Sequence, residues 1–277
     1  MKKILKMVGL GTVVLGMSMV WPGTGQADEK QNQVLNKIET RHEMVWGTKA
    51  DTRLMGLMNI KTGKVEGFDV DVAKEVTKLI DPKAKPVFNE VTSGTRIPLL
   101  RNGNIDAIIA TMSITPERAK AVDFSKPYLM AGQSLLVKKG SSIKNIDDVN
   151  HQNVTILGVQ GSTSVEVAKQ KAPNAKVLAL SDYATALSAL KAGQGDVLTT
   201  DASILAGMAA EDKHLQLVGG VFTEEPYGIA IAQDNPALVK KINRALAKMR
   251  GDGTYDRLVK KWFGQVPGMD WKELTKS

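Results

Sequence analysis

The chain has 277 residues, of which 43% are hydrophobic and 24% charged, with a formal net charge of +8 and no cysteine. A chain of this length can bury an adequate core without disulfides, and the lack of cysteine excludes a thiol nucleophile and a lipidated-cysteine membrane tether. Lysine and arginine are spread singly among acidic residues. This is typical of a solvated surface, so we expect no nucleic-acid partner.

The first 27 residues have the pattern of a secretory signal peptide. Three lysines among the first six residues precede an apolar run from residue 7 to about 21, and Gly25-Gln26-Ala27 offers small residues for cleavage before Asp28. The alternative is an uncleaved N-terminal anchor, although the apolar run is short for a spanning helix. In either case we expect the body of the protein outside the cytoplasm. It would lie in a periplasm, or, in a Gram-positive cell, it would be held at the cell surface or secreted.

From residue 44 onward, short β-rich runs alternate with helical patterns. The predicted strands cover residues 44–47, 87–91 and 105–110. The predicted helices cover 70–80, 94–102, 202–210 and a stretch from Leu238 to Met249 that breaks at Gly251. This alternation predicts an α/β protein with open, mostly parallel sheets flanked by helices.

One segment recurs ninety residues later. Residues 100–108 (LRNGNIDAI) resemble residues 190–198 (LKAGQGDVL), and in both a helix is predicted to end at glycine before a buried strand. Two copies suggest two lobes of like architecture. Thr111 and Asp201 stand at the carboxyl ends of the two strands, where open α/β sheets bind ligands. The alternative is chance recurrence of a common unit.

Four motifs in chain order resemble the family-3 extracellular solute-binding proteins, the polar amino-acid receptors of ABC importers, in their glutamine/glutamate-type branch. The motifs are 67–73 (GFDVDVA), 114–118 (ITPER), 122–128 (VDFSKPY) and 253–255 (GTY) with 260–264 (KKWFG). The resemblance runs from about residue 43 to 265. It departs from the family pattern at Thr77, where a small apolar residue is usual.

The resemblance implies a two-lobed periplasmic-binding-protein fold of type II, with the ligand in the cleft between the lobes. Two strands would cross between the lobes, near residues 128–133 and 221–228. The expected domains are lobe 1 (37–130 plus 224–265), lobe 2 (131–223) and a C-terminal tail (266–277).

The resemblance also assigns residues to an amino-acid ligand. Arg118 would bind the ligand carboxylate, since guanidinium and carboxylate match bidentately; the alternative is a surface arginine. Thr111 and Ser113 would add contacts, and Ser162 and Thr163 would offer an anion site at a helix N-terminus.

Asp201 would bind the ligand ammonium, although an N-cap role is the alternative. Lys49, Arg53 and Arg96 lie near the expected ligand side chain, and any of them could meet a carboxylate or amide. Arg96 is preferred, because residues 95–100 (TRIPLL) resemble the acidic-amino-acid branch. For Lys49 solvent exposure is the alternative. Met55 and Ser93 stand where aromatic residues often do in receptors for basic ligands, so we expect glutamate, glutamine, aspartate or asparagine as ligand.

Two other functions remain open at this point, a dehydratase-like enzyme on the same fold and an amino-acid sensor module. The sequence has no HExxH, GxSxG or Walker pattern, and its three histidines are scattered. We therefore expect no catalytic residues, metal or cofactor. The expected partners are a small amino acid and the membrane permease of an ABC importer, bound by a monomer.

Overall fold

The computed structural model describes residues 32–267 and 270–275. The predicted signal segment and part of the predicted tail lie outside these residues. None of the helices within the described ranges is both long and apolar enough to cross a membrane.

Two halves of the chain have similar successions of strands and helices. The first contains α1 (Gln33–Arg41), β1 (Glu43–Thr48), β2 (Asp51–Thr52), β3 (Gly56–Asn59), β4 (Lys64–Glu66), α2 (Phe68–Ile80), β5 (Lys85–Glu90), α3 (Arg96–Arg101), β6 (Ala107–Ile108), α4 (Pro116–Ala119), β7 (Asp123–Phe124) and β8 (Leu129–Ala131). The second contains β9 (Gln133–Lys138), a 3-10 turn (Asp147–Val149), β10 (Thr155–Val159), α5 (Thr163–Lys171), β11 (Lys176–Leu180), α6 (Tyr183–Ala192), β12 (Val197–Asp201), α7 (Ala202–Glu211), β13 (Leu215–Val218), β14 (Glu225–Tyr227), β15 (Ala230–Ile231), α8 (Pro236–Gly251), α9 (Thr254–Phe263) and a 3-10 turn (Glu273–Thr275).

The strands form two five-stranded sheets, one in each lobe. The first has the order β5-β1-β6-β15-β7, with β1 parallel to β5 and β6. The second has the order β11-β10-β12-β9-β13, with β10 parallel to β11 and β12. β8 and β14 pair antiparallel with each other between the two sheets. The α/β, two-lobed fold predicted from the sequence is confirmed; the exact lobe limits stay a prediction. The sheets are mixed and not mostly parallel as predicted, because β15 is antiparallel to β6 and β7, and β9 is antiparallel to β12 and β13.

The internal repeat corresponds to the same structural unit in both lobes. Gly103 and Gly193 adopt left-handed backbone conformations with φ of 72° and 76° after their helices. Asp106 then accepts a hydrogen bond from the Val45 amide at 2.7 Å, and Asp196 accepts one from the Thr155 amide at 2.7 Å. Each aspartate thus ties its own strand to the neighbouring parallel strand, so the recurrence is more than a common local pattern.

An aromatic cluster joins the family motifs that lie far apart in the chain. The Phe68 ring lies 6.2 Å from that of Tyr128, 5.9 Å from Tyr255 and 5.4 Å from Phe263, measured between centroids. All four side chains are fully buried. Such contacts favour close packing of aromatic rings, so helix α2 is held against the C-terminal helix and against the chain entering β8.

Most predicted elements are confirmed to within two residues at each end. The strand predicted at 105–110 loses the largest share of its length, because it is regular only at Ala107–Ile108. Its neighbour β15 is itself two residues long, and the chain turns at Thr111 into a left-handed conformation with φ of 48°. The long apolar run therefore reflects burial and not strand length.

Candidate functional site

The predicted site residues of the first lobe follow the carboxyl ends of its parallel strands. Lys49 comes directly after β1, Arg96 follows β5, and Thr111 and Ser113 follow β6. Arg118 lies slightly further along, in the short helix α4. Since parallel strands present their carboxyl ends at one edge of a sheet, these side chains collect at that edge.

The second lobe presents its own residues in the same way. Ser162 and Thr163 follow β10, Tyr183 follows β11, and Asp201 is the last residue of β12. Contacts between the lobes bring the two edges face to face. The structure therefore brings all eight predicted site residues to one cleft.

The cleft is closed. The Tyr183 amide donates to Asp51 Oδ2 at 2.8 Å, and the Arg118 guanidinium Nη2 donates to the Gly161 carbonyl at 3.1 Å. At the rim, Arg53 pairs with Glu211 at 3.3 Å. Each of these contacts joins one lobe to the other, so they form only when the lobes have come together.

Arg118 is placed by its short helix and bridges both lobes. The Thr115 hydroxyl accepts a hydrogen bond from the Arg118 amide at 3.2 Å, which caps α4. The guanidinium Nη1 donates to the Ser113 carbonyl at 2.8 Å, in addition to the bond to Gly161. Burial lowers the pKa of Arg118. Arg118 is half-buried between the lobes, and its guanidinium has N–H groups beyond the two that these bonds use.

Asp201 does not serve as a side-chain cap. It occupies the N-cap position of α7, but its side chain makes no capping hydrogen bond. Its Oδ2 instead accepts a hydrogen bond from the Tyr227 hydroxyl at 2.5 Å, while Oδ1 is buried and has no hydrogen-bond partner among the described residues. Burial raises the pKa of the carboxyl to about 7. This oxygen is an acceptor that a cation in the cleft would satisfy.

The hydroxyls of Ser162 and Thr163 already donate to other residues of the protein. Ser162 Oγ donates to the Val159 carbonyl at 2.6 Å, and Thr163 Oγ1 donates to Glu225 Oε2 at 3.3 Å. A hydroxyl has a single proton to donate. An anion at this end of α5 would therefore meet the backbone N–H groups of the helix terminus in place of these hydroxyls.

Lys49 is fully buried, so the solvent-exposed alternative is wrong. Its ammonium donates to Ser93 Oγ at 2.9 Å and lies 4.9 Å from the centroid of the Tyr183 ring. Burial first, and then the positive charge of Arg96, lower its pKa to about 7. An ammonium has three N–H donors, and the hydroxyl of Ser93 takes only one of them.

Arg96 is 1% exposed and contacts the loop that follows β6. Its Nη1 donates to the carbonyl of Ala110 at 2.6 Å and to that of Thr111 at 3.3 Å, while Nε is buried without a partner in the described part of the chain. Burial and the nearby Arg118 lower its pKa to about 9. Three cationic side chains thus lie close enough to lower one another's pKa, which makes this part of the cleft complementary to an anionic group.

Asp69 supports this site, although the sequence analysis did not assign it a role. Its carboxylate is fully buried and accepts hydrogen bonds from the Thr111 amide at 2.9 Å and the Tyr128 hydroxyl at 2.8 Å. Burial raises its pKa to about 7. Asp69 thereby holds the loop at Thr111. The motif at residues 67–73 includes Asp69 and could have pointed to it, but a sequence motif does not say what the carboxylate contacts.

Metal ligands do not gather anywhere in residues 32–267 or 270–275. The described residues contain no group of three histidine, cysteine, aspartate or glutamate side chains able to hold an ion. His42 pairs with Asp81 at 2.7 Å, away from the cleft.

The closed cleft, its two lobes and their motifs agree with comparisons of the whole chain. The model for bacterial extracellular solute-binding proteins, family 3, matches residues 44–265. The chain belongs to this family. Its members are extracytoplasmic, and the protein is accordingly a solute-binding protein outside the cytoplasm.

Relatives of this solute-binding protein are similar over most of its length. The ABC transporter glutamine-binding protein GlnH of Bacillus subtilis (strain 168) is 50% identical over 272 residues, which cover 96% of this chain and 99% of that one. The glutamine-binding protein of Geobacillus stearothermophilus is 49% identical over 75% of this chain and 79% of its own. A solved structure, the ancestral amino acid-binding protein AncCDT-1, a precursor of cyclohexadienyl dehydratase, is 38% identical with a TM-score of 0.77, covering 83% of this chain and 99% of that one.

Closure of the cleft requires glycine at position 161. A Cβ there would lie 2.7 Å from the Ser93 carbonyl oxygen and 2.8 Å from Gly94 Cα, both on the opposite lobe. We expect Gly161→Ala to weaken ligand binding at least tenfold, because the lobes could no longer meet. Isothermal titration calorimetry measures this directly.

Two controls separate closure from local strain. Gly193 has a similar φ of 76° but no atom nearer than 3.7 Å to an added Cβ, so Gly193→Ala should lower stability and leave affinity unchanged. Gly94→Ala, whose Cβ has its nearest neighbour at 3.7 Å, should bind normally. Normal affinity in Gly161→Ala would contradict the closed geometry as the binding form.

Proposed function

We propose that this protein captures glutamine or glutamate outside the cytoplasm and delivers it to the permease of an ABC importer. The observation that carries the proposal is that one closed cleft holds both signs of charge. Arg118 of the first lobe reaches across to Gly161, and Asp201 of the second lobe keeps a buried Oδ1 without a partner among the described residues. The names of the two most similar relatives quoted above support the choice of ligand.

A free amino acid matches this arrangement of charges. Its carboxylate and ammonium lie on one carbon, and taking both out of water is costly unless each is paired. Arg118 supplies the fork that fits a carboxylate, and Asp201 supplies the acceptor for the ammonium. The helix terminus at Thr163 adds backbone donors for the carboxylate. Because the partners come from both lobes, ligand would stabilise the closed form.

The side chain of the ligand would meet Lys49 and Arg96. Both are buried and cationic. Among the described residues, the Lys49 ammonium donates only to Ser93, and the Nε of Arg96 has no acceptor. The γ-carboxylate of glutamate or the amide oxygen of glutamine could accept from them. A basic ligand would bring a further positive charge to the same place, which the cleft disfavours.

The finer cellular assignments are part of the same proposal. Residues 1–27 act as a signal peptide that leaves Asp28 as the mature N-terminus, or remain as an anchor. The protein works as a monomer, binds no nucleic acid and catalyses no reaction. The binding-protein names of its relatives support a non-enzymatic role, whereas AncCDT-1 is named as a precursor of a dehydratase.

Titration with all twenty amino acids by calorimetry tests the proposal. We expect glutamine or glutamate to bind best and to be recovered unchanged, as a receptor requires. Ligand at a hundredfold excess over Kd should add about 2.7 kcal/mol to the free energy of unfolding, seen as a higher melting temperature. No shift with any amino acid, or a ligand converted to product, would contradict the receptor function.

Removal of either charge partner should abolish measurable binding. A charge-assisted hydrogen bond contributes about 1.5–3 kcal/mol, while a micromolar receptor has about 8 kcal/mol in total. In Arg118→Ala or Asp201→Ala a ligand charge would be buried without its partner, so we expect affinity to fall at least a hundredfold in calorimetry. Arg118→Lys should not restore binding, because an ammonium cannot span both lobes as the fork does.

The control for this prediction is Lys120→Ala. Lys120 lies two residues beyond Arg118, but its side chain is 72% exposed and pairs only with Glu117 at the surface. Its removal should leave affinity unchanged. Near-normal affinity in either cleft variant would place the ligand elsewhere.

Glutamate binding should weaken relative to glutamine binding as the pH rises. Because the pKa of Lys49 is lowered to about 7, its positive charge is present below that pH and is lost above it. Only the glutamate carboxylate depends on this charge, so the ratio of the glutamate Kd to the glutamine Kd should rise by up to about tenfold per pH unit above 7. In Lys49→Met the ratio should stay constant between pH 6 and 8.5. A constant ratio in the wild type would show that Lys49 does not face the ligand side chain.

A further inference from the structure

Two buried acceptors lie side by side in the second lobe. Gln133, the first residue of β9, stands directly opposite Asp201, the last residue of β12, in the antiparallel ladder. Facing residues in such a pair have Cβ atoms about 4.5–5.5 Å apart and side chains on the same side of the sheet. Gln133 is 1% exposed and Asp201 is 4% exposed. Gln133 Oε1 and Asp201 Oδ1 each have no hydrogen-bond partner in the described part of the chain.

The orientation of the Gln133 amide is determined by its neighbours. Its Nε2 donates to Glu225 Oε1 at 2.8 Å and to Thr163 Oγ1 at 3.2 Å. An ionised carboxylate only accepts hydrogen bonds. A flipped amide would therefore set its carbonyl oxygen against the Glu225 carboxylate. The unpartnered Oε1 is the atom that remains for another donor.

The main chain of Gln133 is held as firmly as its side chain. Its amide donates to Thr223 Oγ1 at 2.8 Å, and its carbonyl accepts from the Phe222 amide at 3.0 Å. Residues 222–225 lie on the segment that returns from the second lobe to the first. Gln133 thus cannot easily turn to find a partner within the protein.

The position of this amide lies between the two ends of the expected ligand. On one side it contacts Thr163, at the start of the helix that would receive the ligand carboxylate. On the other side it faces Asp201, the expected partner of the ammonium. A buried polar atom without a partner is rare in proteins and is costly unless something satisfies it. An ammonium carries three N–H donors and can bond to both oxygens at once.

We propose that Gln133 is a second acceptor for the ligand ammonium, beside Asp201, and that Glu225 is the positioning residue that turns its Oε1 toward the ligand. The inference rests on the proposed function, because it assumes a ligand with an α-ammonium group in this cleft. Glu225 lies on β14 and Gln133 follows β8, so the contact also ties ligand recognition to the two paired strands between the lobes.

The test is calorimetry with L-glutamine and L-glutamate on Gln133→Leu, Glu225→Gln and the double variant. Leucine keeps the approximate size but removes the acceptor, so both ligands should weaken by the same factor, roughly tenfold to a hundredfold for one charge-assisted bond. Glu225→Gln should weaken both ligands by itself. Because Glu225 acts through Gln133, it should add less than about twofold in the Gln133→Leu background. A merely structural role would instead lower the melting temperature of the ligand-free protein with little change in affinity.

Gln216→Leu, a half-buried glutamine on β13 of the same sheet, is the matched control and should bind as the wild type does. If the wild type binds glutamine or glutamate and Gln133→Leu binds with the same affinity, the inference is overturned and the proposed function stands. A loss that differs tenfold between the two ligands would have the same result, since Gln133 would then contact the ligand side chain. If Gln133→Leu does not fold, Glu225→Gln decides: lower affinity supports the inference and unchanged affinity overturns it. A wild type that binds no amino acid overturns the proposed function and the inference with it.

Discussion

Burial of unlike charges at the meeting of two lobes is the constraint on which this structure depends. Lys49, Arg96 and Arg118 come from the first lobe, and Asp201 comes from the second. In the closed cleft Arg118 is half-buried and the other three are buried. The lowered pKa values of the cations and the raised pKa of Asp201 express the same cost, because burial disfavours every charged form. A zwitterion with a polar side chain supplies partners of both signs. Ligand and closure are thereby made dependent on each other.

The scaffold places these charges through contacts that are themselves buried. Asp69 connects helix α2 to the loop at Thr111 and to the Tyr128 hydroxyl, which stands at the entry to β8. The same helix packs its Phe68 against rings from both ends of the first lobe. One short motif therefore joins the core, the site loop and the connection between the lobes. A substitution at Asp69 would therefore shift the site loop, although Asp69 itself would not contact the ligand.

The second lobe has the same strand-and-helix frame as the first but carries different side chains at the site. Asp106 and Asp196 make equivalent hydrogen bonds in the two halves, so the frames are alike. Five residues further on, one frame presents Thr111 and the other presents Asp201. The paired copies thus carry complementary chemistry on equivalent positions. On the second lobe, Gln133 stands opposite Asp201 in the ladder and its amide contacts Thr163.

The sequence by itself determined the elements, the two-lobed α/β class and the family, because periodicity, the recurring helix-glycine-strand unit and ordered motifs are local properties of the chain. It also indicated the edge at which Arg118 and Asp201 would stand, since that follows from strand direction. Only the tertiary structure decided which atoms are engaged. It showed that the Ser162 and Thr163 hydroxyls donate to Val159 and Glu225, that Lys49 is buried against Tyr183, and that the Asp201 side chain makes no cap. The roles of Gln133 and Glu225 could not be predicted from the sequence because their hydrogen-bond partners are far away in the chain. Whether a buried polar atom has a partner depends on its neighbours in space.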